Sequence, residues 1–177
     1  MPNASCGQGL LETTIAIGMI VVGVLSIFAV GTGQLRAIRV SEDRLVAGDL
    51  AREGIEIVRS LRDSNWLTGA TWMSGLGDAS ALSGGILVFA DVPDAQGSRW
   101  SLTPGIAWDT PAAFFYHDGT LARQSISPKT SWRPMQFQRL VTIEPVNDAR
   151  RVTVEVRWGK PASLFRVTAE TMLYNWK

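Results

Sequence analysis

A glycine at position 7, a carboxylate at Glu12 and then 22 residues, Thr13 to Gln34, without one charged side chain form the arrangement in this chain with the clearest chemical consequence. An uncharged, largely apolar run of that length matches the ~20 residues needed to cross a bilayer core. Glu12 stands at its mouth. An acidic group at mid-bilayer costs roughly 3 kcal/mol, less near an interface, and a group kept there despite the cost marks a function and implies a partner. For an isolated carboxylate the natural partner is a free amine.

One family supplies that amine. A Gly, one residue, then a carboxylate four positions further on, with apolar Leu10 and Leu11 between them and a long uncharged helix behind, resembles the prepilin signal of type IV pilins and type II secretion pseudopilins. The resemblance implies that a prepilin peptidase in the membrane cuts between Gly7 and Gln8 and methylates Gln8 as the new N-terminus. It also implies that Glu12, then the fifth residue, pairs with the N-terminal amine of a neighbouring subunit during filament assembly. Other pilin or pseudopilin subunits and the inner-membrane assembly machinery would be the partners. The protein would first be single-pass in the inner membrane with its globular domain outside the cytoplasm, and later part of a surface or periplasmic filament. A second segment, Arg52-Glu53-Gly54-Ile55-Glu56-Ile57-Val58-Arg59 through Trp66, is similar to the post-membrane helix of minor pilins of the V type and pseudopilins of the I type, which points to a minor subunit. The chain departs from the family in carrying no Lys or Arg before Gly7 and no second cysteine. By the positive-inside rule Arg36, Arg39 and Arg44 would stay cytoplasmic, opposite to the orientation that the resemblance implies.

Two readings without a filament stand beside this one. Ala29-Val30-Gly31 is a small-x-small site of the kind signal peptidase accepts, which would release a secreted domain. A plain membrane anchor carrying an incidental Glu12 would display an extracytoplasmic binding or adhesion domain. Ala4-Ser5-Cys6 is a weak lipoprotein-like match, because the apolar stretch follows the cysteine instead of preceding it.

Little else in the sequence could do chemistry. His117 is the sole histidine and Cys6 the sole cysteine, and no phosphate-binding loop, zinc spacing or Gly-x-Ser-x-Gly elbow is present. No catalytic, cofactor or metal residue is therefore expected, and the chain does not read as an enzyme. His117-Asp118 is a dyad in sequence only, next to Gly119 in an expected turn. Past residue 62 there are 11 basic and 10 acidic residues, a balance without the electrostatic footprint that nucleic acid requires. Seven tryptophans raise an aromatic binding surface as an alternative to core packing.

The elements that would hold these residues follow from periodicity. With residues 1–7 as leader, residues 8–34 form the membrane and assembly half of one helix and residues 35–62 its amphipathic half. On that half Ala47, Leu50, Ala51, Gly54, Val58 and Leu61 make one apolar stripe, with Ile55 at its margin and Asp49, Arg52, Glu53, Glu56 and Arg59 opposite. Leu35, Ile38, Leu45, Val46 and Ile57 cluster in another direction, available for subunit contacts or else for packing on the same domain's loops or lying near lipid. Residues 63–177 form one globular β-rich domain of ordinary size. Trp66 to Gly85 reads as a loop, Ile86 to Ala90 as a strand, Phe114 to Arg123 as a hairpin around Asp118-Gly119. Phe137–Glu144, Arg151–Trp158 and Leu164–Leu173 read as a three-strand antiparallel meander, its connections at Pro145–Arg150 and Gly159-Lys160-Pro161. Alternation puts Val152, Val154, Val156 and Trp158 on one face. The expected fold is α+β, a sheet packed on the C-terminal half of one long helix, which is also the pilin-like architecture.

Overall fold

The computed structural model describes residues 6–76, 82–89, 100–117, 119 and 121–175. It divides into two compact units, Met1–Asp43 and Arg44–Lys177. Helix α1 (Cys6–Leu67) begins in the first and ends in the second. It runs past the expected boundary at Arg62 because no residue up to Leu67 breaks it. Its end is a Schellman motif: Ala70 N–H donates to Asn65 O (2.9 Å) and Gly69 N–H to Trp66 O (3.1 Å), with Gly69 at φ +74°. That left-handed conformation is one that glycine adopts without penalty. The Asn65 amide then donates to Trp72 O and Ser74 O and folds the following turn back on the helix.

In the second unit the seven strands are β1 (Leu82–Phe89), β2 (Trp100–Thr103), β3 (Phe114–His117), β4 (Ala122–Arg123), β5 (Arg133–Val146), β6 (Ala149–Lys160) and β7 (Ser163–Tyr174). All ladders between them are antiparallel. Strand β5 is the hinge of the topology. One of its edges carries β6 and then β7, and the other is shared, β3 pairing with its first half and β1 with its second. The expected meander is therefore present, with longer strands, as one end of a larger sheet.

Packing follows the two periodicities. Ala47, Ala51, Ile55 and Val58 of α1 are buried against Phe137, Val141, Ile143, Val152, Val154, Val156 and Trp158 of the sheet, with Leu50 and Leu61 at the rim. The layers approach most closely at Gly54, where a β-carbon would lie 2.8 Å from Val154 Cγ1. The opposite sheet face is covered more thinly, by Ile86, Leu140 and the Ala112-Ala113 segment with Trp108 beside them.

Several expectations change in the three-dimensional structure. Ile57, placed with Leu35, Ile38, Leu45 and Val46, is buried in the core, whereas those four are exposed. Strand β1 starts at Leu82 and not at Ile86. Its Gly84 (φ +66°) accepts a hydrogen bond from Ile106 N–H (2.6 Å), and a β-carbon there would collide with Ile106 O. Glycines that look like a loop in sequence thus serve a close approach of two backbones. Strand β2 was not anticipated. Pro145 and Val146 belong to β5 and Ala149 and Arg150 to β6, because Asn147 takes φ +52° and lets the chain reverse over Asn147-Asp148 alone. The expected hairpin at Phe114–Arg123 is present, but its register Tyr116↔Arg123 and His117↔Ala122 leaves four residues between the strands, not the two of a tight Asp-Gly turn. Asp118 and Thr120 themselves, like Ala90, lie outside the described residues.

One charge is buried between the layers. Arg139 is 1% exposed and donates from Nη1 to Glu53 Oε2 (2.9 Å) and Leu50 O (3.0 Å), and from Nε to Gln124 Oε1 (3.2 Å). The Gln124 amide in turn donates to Ala113 O and Arg139 O, and the guanidinium lies 4.8 Å from the centre of the Phe115 ring. Burial pulls the guanidinium pKa below its ordinary value, and the charge of Glu53 and its hydrogen bond oppose that shift. Removing one member of a buried pair strands the other. Because Glu53 is 47% exposed, Glu53→Ala is expected to cost about 1–3 kcal/mol, the range for an orphaned buried donor. The double variant Glu53→Ala/Arg139→Met should recover part of it. Denaturant melts of both decide the matter, and an unchanged midpoint for Glu53→Ala would show that the pair does not hold helix to sheet.

Candidate functional site

Gly7 and Gln8 lie in the first turns of α1, and Glu12 follows one turn later on the helix surface. The Glu12 carboxylate is exposed, and it has no hydrogen bond or ion pair among the described residues.

Behind it the helix presents apolar side chains all round. Leu10, Leu11, Ile15, Ile17, Met19 and Ile20 are each at least half exposed, and the same holds for most apolar residues up to Val30. None of the most apolar 18-residue window is buried inside the structure. An exposed apolar surface of that extent is unfavourable in water. The 22 uncharged residues span about 33 Å at 1.5 Å per residue, close to the thickness of a hydrocarbon core. The hydroxyl groups inside the run are satisfied by the helix itself. Thr13 and Thr14 donate to Leu10 O, Ser26 to Val22 O and Thr32 to Ala29 O, all within 3.0 Å. Without water such groups have to find partners locally. This helix is therefore long and apolar enough to cross a membrane.

The other candidates are not assembled into a site. His117 is exposed at the end of β3, and its Nδ1 accepts from Gly119 N–H (3.1 Å). Among the described residues no three of His, Cys, Asp and Glu are close enough to hold a metal ion. The tryptophans divide by location. Trp158 is core, stacked on Phe165 at 5.5 Å and near Phe137 at 6.1 Å. Trp72 and Trp100 pack on the edge of that core. Trp66, Trp108 and Trp132 lie under cations instead: Arg62 at 4.9 Å, Arg157 at 3.9 Å, and Arg123 and Lys129 at 5.7 and 5.8 Å.

A groove of about 440 Å³ opens on the sheet face away from α1, where Trp108 and the Gly105–Ala107 segment face Thr142, Thr153 and Glu155. Its one carboxylate is already engaged, Arg157 Nε donating to Glu155 at 2.7 Å. The groove thus offers hydroxyls and a carboxylate already paired with Arg157, with no His, Cys or Lys among its described lining residues. The feature that sequence reasoning missed is Arg139. It was within reach, since alternation along β5 puts it on the same face as Phe137, Val141 and Ile143.

Comparison with protein-family models, curated proteins and solved structures gives no match for this chain.

Proposed function

We propose that this chain is a structural subunit, a minor pilin or pseudopilin, of a type IV pilus or a type II secretion-like filament. The observation that carries the reading is the position of Glu12. It is a carboxylate with no partner among the described residues, one turn beyond Gly7-Gln8, at the head of a membrane-length apolar run whose side chains are largely exposed. A prepilin peptidase cuts after Gly7 and methylates Gln8, so that a free amine and a carboxylate face each other across subunits. The apolar run serves twice, in the bilayer before assembly and against neighbouring helices afterwards, and its internally bonded hydroxyls suit both settings. The α+β unit behind it, a sheet on an amphipathic helix with no assembled catalytic group among the described residues, suits a building block that displays a surface.

The decisive measurement is the mass of the mature N-terminus. A start at Gln8 carrying one methyl group is expected, and Gly7→Leu should leave the leader attached while the protein still inserts. A start at Thr32 would instead identify a secreted domain and a start at Met1 a plain anchor. Normal maturation of Gly7→Leu would rule out processing by this peptidase class.

A further inference from the structure

Strand β7 is the one long edge of the sheet. Ser163–Tyr174 pairs with β6 at every position from Ala149↔Tyr174 to Lys160↔Ser163 and with no other strand among the described residues. The other edge strands, β2 and β4, are four and two residues long. Sheets guard their edges with short strands, proline, bulges, inward-pointing charges or charged side chains along the strand. Strand β7 is long, has no proline or bulge, and carries only two charged side chains, Arg166 and Glu170, both on the face away from its apolar row. Its row on the helix side is Phe165, Val167, Ala169, Thr171 and Leu173, and the first four are only partly covered.

On the other face, charge is segregated along the strand. Arg166 lies directly opposite Arg157, and like charges at that position repel. Glu155 accepts from Arg157 (2.7 Å), whereas Arg166 is exposed and has no ion pair among the described residues. This end therefore holds two guanidiniums against one carboxylate. Four residues on the balance inverts, because Arg151 is shared between Glu170 (3.0 Å) and Glu144 (3.7 Å), one cation against two carboxylates.

An edge that is positive at one end and negative at the other complements its own reverse. Side chains alternate with period two, so a second β7 running antiparallel keeps its apolar row on the apolar face only in every other register. Among the registers allowed, Thr168 opposite Thr168 sets Arg166 against Glu170 twice, Val167 against Ala169 twice and Leu164 against Met172 twice. One step to either side brings Arg166 opposite Thr168 or Met172, and two steps set Glu170 against Glu170 or Arg166 against Arg166.

We propose that β7 pairs with β7 of a second copy of this chain about a two-fold axis at Thr168, joining the two sheets into one. The interface is isologous, as closed dimers require, and is independent of the reading of the N-terminal helix.

The test uses the full chain in detergent with Cys6→Ser, which removes the sole cysteine. Under mild oxidation Thr168→Cys should give a disulfide-linked dimer, since directly opposed β-carbons lie about 4.5–5.5 Å apart. Leu164→Cys and Met172→Cys should each form no disulfide-linked dimer alone and cross-link when mixed. Monomeric Thr168→Cys, or equal linking of all three variants alone, would overturn the proposal. In sedimentation, Arg166→Glu and Glu170→Lys should each raise the dimer dissociation constant at least about 10-fold, from two repulsive contacts replacing two attractive ones. An equimolar mixture of the two should recover dimerisation. Unchanged dimerisation of the single variants, or no recovery on mixing, would reject the register.

Discussion

Glu12→Val is expected to be cleaved after Gly7 and to accumulate in the membrane, yet to be lost from filaments or to block assembly of the other subunits. The physical argument runs through the two environments of the carboxylate. In a monomer held in the bilayer Glu12 has no partner among the described residues. Replacing it with an apolar side chain should leave insertion intact or ease it by up to about 3 kcal/mol. In a filament the low dielectric strengthens its attraction to a neighbour's terminal amine and makes an unpaired amine costly. Removing the carboxylate thus helps one step and disables the next, a separation that a merely destabilised protein would not show. Wild-type amounts of Glu12→Val in sheared filament fractions would falsify the assembly role and leave Glu12 an incidental charge at the head of an anchor. The chemistry of Gln8 adds a check, since an N-terminal glutamine that cyclises loses its amine. Pyroglutamate in assembled filaments would exclude the amine pairing while leaving cleavage untouched.

Val58→Asp, in a soluble fragment beginning near Val40, is expected to abolish the cooperative thermal transition. Val58 is fully buried in the cluster formed by the α1 stripe and the sheet. The described cations of α1 near it are already engaged, Arg59 by Glu56 and Arg62 by Asp63, so an aspartate at position 58 would have to compete with these carboxylates for a partner. An unpaired buried carboxylate costs several kcal/mol against a total stability of ~5–15. Arg52→Asp, on the exposed side of the same helix, serves as the control and should shift the midpoint by no more than about 0.5 kcal/mol. An unmoved transition for Val58→Asp would mean that the stripe does not face the core.

Patterns that repeat within one element were legible from the sequence alone. The uncharged run after Glu12, the stripe from Ala47 to Leu61 and the alternation from Val152 to Trp158 each reflect a single helix or strand burying one side, and α+β followed from them. The tertiary structure decided whatever depends on residues far apart in the chain. Glu53 looks like one more solvated acid on the exposed side of α1, yet it pairs with Arg139, 86 positions away. Ile57 belongs by its helical angle with exposed Leu45 and Val46 but is buried, in a cluster to which Met73 and Leu76, beyond the end of the helix, also belong. Gly84 and Gly85 resemble a loop until Ile106 and Leu102 are brought against them. The free edge of β7 is invisible in sequence for the same reason, since whether a strand is central or terminal is set by which others pair beside it. Local periodicity records which side of an element is dry, whereas only the folded chain determines what is placed against it.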